Sequence, residues 1–239
     1  MIEDNKETKQ KNDNKKKWII VITIIIAVCV GGVILAYYVK NSKDNCNNTI
    51  YSEQNEPMEL KPIIYLYPEQ ETNVNVELGK PENITCSYPK YTNGWNVIAK
   101  PDGTLTDTKN NRELYSLYWE GIHSSSINTE DGFVVEGNNV AKFLEEKLAI
   151  LGLNNREAEE FIIYWLPKLE GNKYNYIRFE TMEEINENMP LKVIPTPDTT
   201  IRVMMEFKAL DEYIEIPEQQ LKTPERKGFV VVEWGGTQI

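Results

Sequence analysis

The chain has 239 residues, a formal net charge of −11 and a sequence pI near 4.8. That acidic excess excludes nucleic acid as a partner, because binding a phosphate backbone requires clustered lysine and arginine. Three cysteines are too few for a disulfide scaffold.

Residues 1–17 are polar and rich in lysine and bury too little apolar surface to offset ordering entropy, which predicts a disordered cytoplasmic tail. Residues 18–39 carry no charge, and at about 1.5 Å per residue they are long enough to span a hydrocarbon core of about 30 Å as a helix. Six lysines precede the span against Lys40 and Lys43 after it, so the amino terminus is expected inside and the rest outside. The apolar run exceeds a signal-peptide core, no Ala-x-Ala pair ends it, and Val28 precedes Cys29. An uncleaved signal anchor is therefore favoured over a cleaved or lipidated leader. Trp18, Tyr37 and Tyr38 suit the two lipid-water boundaries, and Gly32-x-x-x-Ala36 offers a face for homodimerisation. With the lysines of the first 39 residues set against Glu3, Asp4, Glu7 and Asp13, that part sums to +2 and the remainder to −13.

Residues 40–60 read as a flexible stalk with an end-to-end distance of about 25 Å. Cys46 in the stalk and Cys86 in a strand could pair, but two unpaired thiols are expected. Residues 61–239 then form one extracellular domain with a single substantial core.

The domain opens with Lys61-Pro62-Ile63-Ile64-Tyr65-Leu66-Tyr67-Pro68, an apolar run bounded by prolines that predicts a strand covered on both faces. Residues 72–78 alternate apolar with polar, as a half-buried strand does. Turn signals at Thr92-Asn93-Gly94, Pro101-Asp102-Gly103 and residues 108–112 divide residues 84–121 into a four-stranded antiparallel meander. The period then changes to 3.6. Val140, Phe143, Leu144, Leu148 and Leu151 share one helix face, and Ala158, Phe161, Ile162 and Trp165 share another. Asn154 with Glu157 forms a capping box for the second helix, Pro167 is expected to stop it, and the short linker predicts an antiparallel hairpin. Strands follow at 174–180, 201–208 and 229–234, with a short capped helix from Thr181, a possible edge strand at 213–216, and the last strand central. The expected class is α+β, a mainly antiparallel, sandwich-like sheet carrying a helical hairpin.

The sequence lacks a Gly-x-Ser-x-Gly elbow, a His-Glu-x-x-His helix, a Cys-x-x-Cys pair, a phosphate loop and a dinucleotide fingerprint. Neither a cofactor nor a metal site is expected. The single histidine, His123, sits beside Ser124, Ser125 and Ser126 and reads as a solvated loop. Asp102 and Asp107 match no calcium loop and are accounted for by turn chemistry. Glu120 and Glu233 each end an apolar strand beside a tryptophan and a glycine, so they are the candidate catalytic pair for acid and base work on a glycosidic bond, the plainer alternative being that each emerges into water or pairs with Arg178 or Arg202. Trp95, Tyr118, Trp119 and Trp234 are the candidate binding aromatics, although rings alternating along strands more often belong to the core.

Four segments, 61–68, 118–121, 161–167 and 233–236, together resemble a family of uncharacterised membrane-anchored or secreted proteins of low-GC Gram-positive bacteria with a Lys-Pro-x-Ile-Tyr-Leu-Tyr-Pro box. The resemblance implies an external location and the domain limits, and it implies no catalytic residue. The expected function is an external domain binding a glycan or protein ligand of the cell envelope, on a single-pass membrane anchor. The alternative is an envelope hydrolase acting on glycan or peptide.

Overall fold

The computed structural model describes residues 59–123 and 127–239, so the tail, the expected membrane span at 18–39, most of the stalk and the three serines after His123 lie outside it. Among the described residues no helix is long and apolar enough to cross a membrane. Two sheets and a helical hairpin make an α+β domain. The larger sheet contains β1 (Glu59–Leu60), β2 (Ile63–Tyr67), β4 (Ile84–Tyr88), β8 (Leu117–Ile122), β9 (Phe133–Glu136), β10 (Tyr174–Phe179), β12 (Thr199–Leu210) and β13 (Val230–Gln238). From β8 it runs through β2, β13, β12 and β10 to β9, and β4 pairs with β8. Among the described strands, only β12 and β13 pair in parallel. The smaller sheet is antiparallel, in the order β11 (Leu191–Ile194), β3 (Thr72–Leu78), β5 (Trp95–Ala99), β6 (Leu105–Asp107) and β7 (Glu113–Leu114).

Strand alternation fixes the layers. Ile63, Tyr65 and Tyr67 of β2 point to the same side as Val230, Val232 and Trp234, and as Ile201, Val203, Met205 and Phe207. This face receives the hairpin of α1 (Val140–Ile150) and α2 (Asn155–Leu169) through Leu144, Leu148, Phe161, Trp165 and Leu169. Ile64 and Leu66 point the other way with Leu117, Trp119 and Val231, and they meet Val74, Val76, Trp95, Val97 and Leu105 of the smaller sheet. The proline-bounded box is thus covered on both faces, as its composition predicts.

The capping box of α2 is present in full, with Glu157 N–H donating to Asn154 Oδ1 at 3.0 Å and Asn154 N–H to Glu157 Oε2 at 2.8 Å. Buried Glu157 also holds Arg226 at 2.9 and 3.1 Å, which ties the crossover between β12 and β13 to the hairpin. Four expectations need correction. First, Pro167 lies inside α2 and does not end it. The carbonyl it leaves without a donor belongs to Ile163, which is 67% exposed, so water can satisfy it, while buried Leu169 rewards another half turn. Second, the meander is divided: β5, β6 and β7 join the smaller sheet, whereas β4 and β8 pair with each other in the larger one. Third, residues 213–216 form no strand, and Tyr213 and Ile214 are exposed. Fourth, the order of the domain begins two residues sooner than expected, because Glu59–Leu60 pairs with β8.

Gly236 lies against the hairpin, where an added Cβ would meet Met205 O at 2.6 Å and the Trp165 ring at 3.1 Å. Gly236→Ala is expected to destabilise the domain by about 1–3 kcal/mol through overpacking. Denaturant melts of the two proteins read this, with a visible drop in midpoint at unchanged slope.

Candidate functional site

The second face of the larger sheet is apolar only where the smaller sheet covers it. Across β13, β12 and β10 it carries Glu233, Arg202, Glu206, Arg178 and, one residue beyond the strand, Glu180, all buried. Strand register places Arg202 opposite Glu233 and Arg178 opposite Glu206. Arg202 Nε donates to Glu233 Oε2 at 2.5 Å, and Trp119 Nε1 donates to Glu233 Oε1 at 2.9 Å. Arg178 reaches Glu206 at 3.3 Å, Glu184 at 2.8 and 3.0 Å, and Asp131 at 3.2 Å.

A short helix, α3 (Met182–Asn188), is started by Thr181, whose hydroxyl accepts the Glu184 N–H, and it brings polar groups to this row. Asn186 Oδ1 accepts from Arg202 Nη1 at 2.8 Å, and the Asn188 amide lies 3.0 Å from Glu180 Oε2 and 3.0 Å from His123 Nε2. His123, at the end of β8, has a fully buried side chain, contrary to the solvated loop expected for it. Its Nε2 is 3.6 Å from Glu180 Oε1 and 3.7 Å from Glu206 Oε1. One ligand atom from each of His123, Glu180 and Glu206 falls within 4.8 Å of the others, so the fold assembles a possible metal-ligand set that no spacing in the sequence announces.

Cations are scarce here. Burial and then the nearby Glu180 charge push the Glu206 carboxyl up to about 7, against the pull of Arg178 and His123. Burial also raises Glu184, but the Thr181 N–H and the Arg178 guanidinium outweigh it and leave that carboxyl below its ordinary range. Among the described residues, Glu180 Oε1, His123 Nδ1 and Arg202 Nη2 have no hydrogen-bond partner. Beside the row opens a cleft of about 510 Å³, lined by Phe179, Glu180, Met182, Arg202, Leu221 and Lys222 among others.

The candidate catalytic pair does not converge. Glu233 is wholly buried on the face of Trp119, whereas Glu120, the next residue along β8, projects from the hairpin side. There it accepts from Lys61 Nζ at 2.7 Å and from the Tyr118 hydroxyl. Trp95, Trp119 and Trp234 are core residues at 3%, 0% and 1% exposure, and Trp234 Nε1 donates to the Tyr65 hydroxyl. Tyr118 is half-buried, so the four aromatics form no common platform. Asp102 and Asp107 accept backbone N–H groups two residues ahead, which is turn chemistry. Of the polar row, sequence reasoning reached only the pairing of Glu233 with Arg202, as one alternative to a catalytic role, because the rest requires strand register. Its traces in the sequence were Arg178 inside an apolar strand and the charges Arg202 and Glu206 at alternate positions of β12.

No family model and no solved structure matches the chain. A Butyrivibrio fibrisolvens protein described as "Uncharacterized protein in bglA 3'region" is 36% identical over 66 residues, which cover 26% of this chain and 67% of that protein.

Two outcomes follow from this geometry. Arg202→Met leaves the Glu233 carboxylate buried without its cation and should cost about 3–5 kcal/mol, whereas Arg202→Met with Glu233→Met should cost clearly less; equilibrium unfolding of the three proteins measures both. Because the Glu184 pKa is lower folded than unfolded, its contribution is present above pH 4.5 and lost as pH falls below it. Glu184→Gln should therefore flatten the fall of the melting midpoint on the acid side of pH 4.5 while lowering the midpoint at pH 7.

Proposed function

We propose that this chain, which belongs to the same family as the uncharacterised Butyrivibrio fibrisolvens protein, is a single-pass membrane-anchored surface protein whose external domain binds an acidic ligand of the cell envelope in the cleft lined by Phe179, Met182, Leu221 and Lys222. The observation that carries the binding role is the cleft itself, about 510 Å³, with the exposed Lys222 at its rim. A carboxylate on a wall peptide would meet the Lys222 ammonium there, whereas the Arg202 guanidinium stays buried on Glu233 and Asn186. Phe179, Met182 and Leu221 supply apolar wall.

The membrane anchor rests on the uncharged stretch at 18–39 and on the lysines before it, together with the resemblance to membrane-anchored or secreted proteins of low-GC Gram-positive bacteria. A hydrolase using Glu120 and Glu233 is the weaker reading, because a carboxylate on each face of one sheet cannot flank a single glycosidic bond.

The test has two arms. Protease added to intact cells should remove the domain while sparing the tail, and protection of the domain until lysis would overturn the topology. Soluble wall muropeptides titrated into the full-length protein should bind saturably, with affinity lowered about tenfold or more by Met182→Trp, which fills the cleft, and by Lys222→Glu. Failure to bind, or binding indifferent to both substitutions, would overturn the cleft.

A further inference from the structure

Behind the cleft, three buried side chains from distant parts of the chain face one another: His123 at the end of β8, Glu180 after β10, and Glu206 in β12. Glu180 is 7% exposed, and its Oε1 points to the imidazole at 3.6 Å without accepting a hydrogen bond from any described residue. A carboxylate in such a place is stabilised by a cation beside it, because burying the charge unpaired costs on the order of several kcal/mol. The fixed cations nearby are committed. Arg202 serves Glu233, and Arg178 is divided among Asp131, Glu184 and Glu206.

We propose that His123, Glu180 and Glu206 bind a first-row divalent metal ion, zinc being the best chemical match. A tetrahedral ion with bonds of about 2.0–2.2 Å holds its ligand atoms about 3.3–3.6 Å apart. The two histidine–carboxylate separations, 3.6 and 3.7 Å, are already near that spacing, and all three ligand atoms lie within 4.8 Å of one another. An imidazole with two carboxylates suits zinc or its first-row neighbours, whereas calcium takes six to eight oxygens and magnesium prefers oxygens and water. The Asn188 amide nitrogen, 3.0 Å from both His123 Nε2 and Glu180 Oε2, holds the imidazole and the carboxylate side by side. The inference is independent of what occupies the cleft.

His123 is the single histidine of the chain, which makes the test specific. The full-length protein, purified in detergent through a histidine-free tag and stripped with EDTA, is titrated with Zn²⁺ and separately with Co²⁺. One equivalent per chain should bind, with a raised melting midpoint and visible cobalt bands. Glu180→Gln and His123→Gln should each weaken binding about tenfold or more and abolish the cobalt bands, whereas Glu120→Gln, on the far side of the sheet, should bind as the parent does. The imidazole ring protons provide a readout that needs no variant, since metal ligation must shift them. Absence of saturable uptake, retained affinity in Glu180→Gln, or unshifted ring protons on zinc addition would overturn the site and leave His123 as the ion-pair partner of Glu180.

Discussion

The Glu233 carboxylate has no access to water, and much of the domain is arranged around that fact. A buried charge is tolerated only when it is paired and hydrogen-bonded, and both oxygens of Glu233 are engaged, one by Arg202 and one by Trp119. The first bond crosses from β13 to β12, the parallel pair at the middle of the sheet, and the second reaches over β2 to β8. Trp119 therefore brings its polar edge into the inter-sheet core without leaving an unpaired donor. Arg202 in turn holds Asn186, which fixes α3 above the sheet.

The two faces of the larger sheet are consequently unlike. The hairpin side is apolar from Phe133 to Trp234 but for buried Asn175, whose amide donates to Leu169 O, while the other side changes from apolar to charged where the smaller sheet ends. In the charged half, carboxylates outnumber the two arginines. Asp131, Glu184 and Glu206 compete for Arg178, which leaves Glu180 facing the imidazole, next to an open cleft.

Most elements were legible in the sequence because their signals are local. The proline-bounded strand at 63–67, the two capping boxes at Asn154 and Thr181, the 3.6-residue period from Val140, and the central placement of Val230, Val231 and Val232 all follow from neighbouring residues. What was not legible depends on partners far along the chain. The pattern of β12 reads as half-buried, since Arg202 and Glu206 look like solvent-facing charges until β10, β13 and α3 are in place around them. His123 reads as a loop residue for the same reason, its neighbours Glu180, Asn188 and Glu206 being more than fifty residues away. The tryptophans that suggested a binding platform are large apolar bodies whose polar atoms find internal acceptors, as Trp95 does at Pro89 O, so burial was the cheaper outcome.

The margins of the sheets have a consequence for behaviour at high local density. β4, at the rim of the larger sheet, shifts register between Ile84 and Cys86, β9 at the opposite rim has four residues, β7 has two, and β11 presents Lys192. Unpaired strand rims recruit other chains when they are long, flat and apolar, and each of these is short, kinked or charged. Neighbouring copies crowded into one patch would meet without an obvious template for laddering together, which keeps the Cys86 thiol, exposed on its kinked rim, from being zipped into a shared sheet.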